Sequence, residues 1–106
     1  MALHHAAPGE KVHLASVNDV AHPKTAALVK TDAFEAAQLF LRAGEKIASH
    51  SVPGFAILHC LEGSVMLHAG EDIRLNADDW LYLDRGREHS LSALEDSCLM
   101  LTILFE

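Results

Sequence analysis

A chain of 106 residues has room for one domain, and 50% hydrophobic with 22% charged residues is the composition of a core-forming protein, not of a disordered one. Eight basic against fifteen acidic residues leave a net charge of −7 with the histidines neutral, and no Lys/Arg cluster is dense enough to follow a phosphate backbone, which excludes nucleic acid as a partner. No apolar run approaches the roughly 20 residues of a membrane span, and MALHHAAPGEKV lacks the basic and apolar segments of a secretory leader, so the expectation is a cytoplasmic protein with no membrane partner.

In chain order, short strands are expected at Val12 to Leu14 and Ala26 to Lys30. The segment from Asp32 to Gly44 is ambiguous. It is rich in helix formers, opens on an N-cap residue and ends on glycine, yet Phe34, Ala36, Gln38 and Phe40 also alternate with Glu35, Ala37, Leu39 and Leu41. Beyond it, apolar runs of four to eight residues are punctuated by Gly, Asp and Asn, the spacing of an all-β sandwich or barrel. The predicted strands are Lys46 to Ser51, Phe55 to Glu62, Ser64 to His68, Asp72 to Leu75, Trp80 to Leu83, His89 to Ser92 and Ser97 to Phe105. Cys60 and Cys98, without a secretory leader or a CxxC pair, read as two buried thiols.

The last run, CLMLTILF, is apolar at nearly every position and therefore needs cover on both faces. The barrel interior covers one, and a second copy of the chain is the simplest cover for the other. A homodimer is expected, through Leu99, Leu101 and Ile103 or through the alternate set Cys98, Met100 and Leu104.

Two spaced patterns carry the chemistry. Gly44, His50, Val52, Ala56 and Gly63 have the intervals of G-x5-H-x-H-x3-E-x6-G, and Asp78, Asp84, Gly86, His89 and Ala93 have those of G-x5-P-x-G-x2-H-x3-N. On these intervals the chain, from about Phe34 to Phe105, resembles the small single-domain members of the cupin superfamily. The resemblance implies an all-β jelly-roll barrel, the double-stranded β-helix, and implies strand for the ambiguous segment. It divides the chain into residues 1–33, N-terminal strands and an arm packing on the barrel or on a dimer partner, and residues 34–106, the barrel.

The same resemblance implies a metal position, held in metal-binding cupins by the two histidines of H-x-H, the glutamate and the second-motif histidine. Here His50 and His89 are retained, while Val52 and Ala56 donate no electron pair. Catalytic zinc usually has three protein ligands and non-haem iron two histidines with a carboxylate, so two imidazoles make a weak site for Zn, Fe, Mn or Ni. If Ala56 faces inward, Leu58, Cys60 and Glu62 share its face and His59 points away. Along the strand Cys60 stands roughly 13 Å and Glu62 some 20 Å from the vacant ligand position, outside a first coordination shell. Asp84 is the remaining nearby carboxylate. His4, His5, His13, His22 and His68 read as solvated surface.

The leading expectation is a barrel that binds a small apolar or aromatic molecule without a tightly held metal, with Phe40, Val52, Ala56, Leu58 and Leu91 around it and His50 and His89 as polar contacts. Tyr82 completes the ligand-binding set. The alternatives are a metal-dependent cupin enzyme, of dioxygenase or isomerase type, using His50 and His89 with Tyr82 as acid partner, and a structural dimer with no ligand.

Overall fold

The computed structural model describes residues 5–19 and 25–105. A short 3₁₀ turn at Val17–Asp19 precedes nine strands: β1 (Ala26–Lys30), β2 (Phe34–Leu41), β3 (Lys46–His50), β4 (Phe55–Glu62), β5 (Ser64–Ala69), β6 (Glu71–Asn76), β7 (Trp80–Leu83), β8 (His89–Ala93) and β9 (Ser97–Leu104). They form two antiparallel sheets, β1-β2-β9-β4-β7 and β3-β8-β5-β6, packed face to face as a double-stranded β-helix. The expected strand at Val12 to Leu14 is absent. Those residues are irregular and exposed; the arm meets the edge of β1 farther back, where the Ala6 amide donates to the Leu28 carbonyl at 2.7 Å.

The ambiguous segment is strand β2. It is paired along one edge with β1 and along the other with β9, from Phe34 opposite Leu104 to Leu41 opposite Ser97. Two rows of cross-strand bonds outweigh a helix propensity that sums to a few kcal/mol at most.

The core lies between the sheets. Leu58, Val65, Leu67, Leu91 and Leu99 are buried there, with Leu39, Leu41 and Leu75 around them. Gly63 is the corner where the chain leaves one sheet for the other, since a single residue separates β4 from β5. Its φ of 84° is the left-handed region that favours glycine, and a Cβ there would meet Ser97 Oγ and the Asp96 carbonyl.

The outer face of the larger sheet is covered at one end by the chain itself. Val17 packs with Phe40 and Cys98, flanked by Ala15 and Leu61. Glu62 fastens this arm: Oε1 accepts from the Val17 amide at 2.7 Å and Oε2 from the Ser16 hydroxyl at 2.8 Å. Gln38 donates to the Ala15 carbonyl at 2.6 Å and to Cys98 Sγ at 3.0 Å. The expected inward parity of Glu62 is corrected by a bulge. Cys60 lies opposite Leu99 but Glu62 lies opposite Cys98, so two β4 residues span one step of β9 and the Glu62 side chain reaches the outer face.

Burial, ahead of the charge of Asp79, pushes the Cys60 thiol up to about 11, and burial likewise raises the Cys98 thiol. Both are free thiols, as expected.

Gly63→Ala is expected to lower the unfolding free energy by more than about 2 kcal/mol, combining the left-handed penalty with overlap against backbone; urea denaturation measures it, and a loss within experimental error would contradict the corner's role. Glu62→Gln removes one charged acceptor and should cost roughly 1.5 kcal/mol. In a Cys60→Ala background it should also speed modification of Cys98 by a disulfide reagent at least several-fold, whereas an unchanged rate would mean that the clasp does not shield the thiol.

Candidate functional site

His50 closes β3 and His89 opens β8, and the two residues are direct cross-strand partners. A bulge between Ile47 and His50 inserts one residue into β3, taking Ala48 and Ser49 out of the ladder. The ring of His50 uses this, its Nδ1 lying 2.9 Å from the Ala48 carbonyl, while Nδ1 of His89 lies 3.0 Å from the Arg87 carbonyl. A carbonyl only accepts, so each neutral ring carries its proton on Nδ1 and its lone pair on Nε2. The ring centroids are 4.4 Å apart, tilted by 53°. Backbone carbonyls thus anchor both rings through Nδ1 and leave two neighbouring imidazoles each with Nε2 as acceptor.

The pair stands at a cavity of about 190 Å³ between the sheets, lined by Leu39, Ile47, Leu58, Leu91 and Leu101, with Thr25 as the remaining lining residue. Of the sequence-derived set, His50, His89, Leu58 and Leu91 meet here. Val52 and Ala56 pack in the adjoining core. Phe40 does not line the cavity: β2 turns Leu39 inward opposite Leu99, which sends Phe40 to the outer face beneath Val17. Tyr82 is also elsewhere. It lies opposite Ile57 on the outer face, 60% exposed and edge-on to Phe55, so the proposed pairing of a cavity histidine with a tyrosine acid has no geometric basis. Sequence reasoning missed Leu39, Ile47, Leu101 and Thr25. The first three follow from strand parity only once the β2–β9 register and the β3 bulge are known.

The fold family's metal position can be tested against these donors. Val52 and Ala56 supply none, and Asp84, the remaining carboxylate, is exposed and accepts from the amide of Arg85. Among the described residues no three of His, Cys, Asp and Glu gather around one point. The donor set does not fit a tightly held divalent ion. His5 and His13 are exposed; His4 and His22 lie outside the described residues.

Two further concavities differ in character from the one beside the histidines: one of about 520 Å³ against β1 is mainly apolar, lined by Ala6, Pro8, Val29 and Phe34 together with His5 and Lys30. The cleft of about 550 Å³ near Gly63 is flanked by Glu62, Glu95 and Asp96. Asp96 there is held below the usual carboxylate range by the Ala43 amide and then by Arg42, and Glu62 is engaged by the arm. On the solvent face of the smaller sheet, His68 joins Asp72 at 2.7 Å and Ser92 at 3.2 Å. This trio has the connectivity of an acyl-transfer relay, but it lies on adjacent strands of a flat face, away from the described cavities, and its carboxylate is mostly exposed. It is a cross-strand hydrogen-bond array.

No family model and no curated protein matches the sequence. Solved structures do. A cupin superfamily protein from Desulfitobacterium hafniense superposes with a TM-score of 0.77 at 15% identity, covering 85% of this chain and 87% of its own. A conserved protein of unknown function from Streptococcus pyogenes gives 0.79 at 20% identity over 100% and 98% of the two chains. An RmlC-like cupin from Desulfovibrio desulfuricans gives 0.73 at 17% over 94% and 97%. The chain therefore has the cupin fold. At these identities the likeness establishes architecture and leaves the activity to be argued from the site.

Proposed function

We propose that this chain binds a small apolar or aromatic molecule inside the barrel, without a tightly held metal ion. The observation that supports this reading is an apolar cavity with two imidazoles as its main polar groups, no carboxylate, Lys or Arg in its lining, and Val52 and Ala56 at the other motif positions. Replacing two metal donors by aliphatic side chains lowers affinity for a cation and raises affinity for carbon. We further propose a cytoplasmic location, which the two free buried thiols support.

Metal analysis of protein prepared without an affinity tag should find Zn, Fe, Mn and Ni well below one ion per chain. A melting screen with single-ring apolar compounds should find stabilisation, about 2.7 kcal/mol at a hundred times the dissociation constant. Ile47→Phe, which fills the cavity from its edge, should abolish the shift. A stoichiometric ion lost in both His50→Ala and His89→Ala, or no shift across the panel, would overturn the reading.

We also propose that the protein is a homodimer through the outer face of the larger sheet. Facing outward are Met100, Thr102 and Leu104 of β9, with Ile57 beside them and Trp80 and Tyr82 on edge strand β7, the last two 57% and 60% exposed. None of these is charged. Of the ionisable groups around this patch, His59 lies beside Met100 and Trp80, Arg85 stacks on Phe55, and Glu62 is engaged by the arm; in a chain of net charge −7, a mainly apolar face with little free acidic charge is one on which two copies approach with reduced repulsion. The inward set, Leu99, Leu101 and Ile103, lies toward the barrel and is not part of this surface. Light scattering at micromolar concentration should report twice 11.5 kDa, and Trp80→Glu with Tyr82→Lys should return the monomer; a wild-type particle of single mass sinks the dimer.

A further inference from the structure

We propose that the molecule taken by the cavity is a small hydroxyl-bearing aromatic of the phenol type, donating its O–H to the paired Nε2 atoms of His50 and His89. This rests on the ligand-binding reading above and specifies its chemistry.

The two imidazoles are the polar face of the cavity. Each uses its Nδ1–H on a backbone carbonyl, and neither Nε2 has a hydrogen-bond partner among the described residues. His89 is only 3% exposed and lines the cavity, and among the described residues no fully buried side-chain nitrogen lacks a partner, so the open Nε2 acceptors are ones that solvent in the cavity reaches. A ligand that displaces that solvent must supply a donor in its place, since an acceptor left buried without one costs roughly 1–3 kcal/mol. The site selects for a donor on chemical grounds alone.

Charge narrows the class. An ammonium donor would enter an apolar chamber whose lining holds no carboxylate to balance it, and desolvating an unpaired cation is unfavourable. A carboxylate would present acceptors to acceptors. A neutral hydroxyl remains, and two adjacent lone pairs, on rings 4.4 Å apart, can take its proton over a wide range of rotation.

Size and lining set the rest. An apolar cavity of about 150 Å³ accepts benzene, so the chamber of about 190 Å³ holds one six-membered ring with a small substituent and not two rings. Leu39, Leu58, Leu91 and Leu101 offer the ring aliphatic surface, and Thr25 is an exposed lining residue.

The test is an isosteric series, phenol, toluene and benzoate, titrated by calorimetry against the full chain at neutral pH, with imidazole nitrogen shifts followed by NMR. Phenol should bind at least ten-fold tighter than toluene, benzoate should bind more weakly than either, and the Nε2 resonances should move with phenol and not with toluene. His89→Leu, checked for folding by circular dichroism, should keep toluene binding and lose the phenol advantage. Equal binding of phenol and toluene, or preference for benzoate, would overturn the hydroxyl assignment while leaving an apolar pocket in place. Failure of all three compounds to bind would instead remove the pocket reading on which the assignment rests.

Discussion

The structure depends on the pairing of β9 between β2 and β4. Because side chains alternate across a strand, two fixed registers decide for three strands at once which residues meet the barrel interior and which meet the outside. Leu99 faces inward opposite Leu39 and Cys60, and Cys98 faces outward opposite Phe40 and Glu62. A slip of one residue would exchange these sets, bringing Glu62 and Gln38 into the core and expelling Leu39 and Leu58.

Two bulges then adapt the regular lattice to particular tasks. The one in β4 rotates Glu62 onto the outer face, where its carboxylate gathers the N-terminal arm and seals Val17 over Phe40 and Cys98. The one in β3 releases the Ala48 carbonyl to hold an imidazole. In both cases one unpaired residue converts a structural strand into a support for a polar group, which is why such irregularities collect at functional positions. The histidine pair is consequently held by backbone carbonyls beside an aliphatic chamber.

The motif positions differ in what they hold in this chain. Gly44, Gly63 and Gly86 all sit at left-handed φ, as does Asp78, which stands where the resembling pattern has glycine. The turn at Asp78 takes this conformation without glycine, since asparagine and aspartate tolerate that region better than other side chains. At Val52 and Ala56, positions that the resembling pattern fills with metal donors, this chain has aliphatic side chains.

The sequence by itself determined the all-β class, most strand positions and the choice of His50 and His89 as the retained polar pair, because strand periodicity, turn residues and motif spacing are local signals; that the two are direct cross-strand partners was decided by the β3–β8 register. It also assigned His59 to the outer face, where it lies beside Met100 and Trp80. Only the tertiary structure decided that Phe40 and Tyr82 face away from the cavity, that Leu39, Ile47 and Leu101 line it, that Val12 to Leu14 form no strand, and that Glu62 clasps the arm. Those outcomes turn on register and on one-residue bulges, and parity along a single strand has no origin until a neighbouring strand supplies one. The competition between helix and strand at Phe34 to Leu41 was settled in the same way, by hydrogen bonds to β9 partners 56 to 70 residues away along the chain, which no local propensity contains.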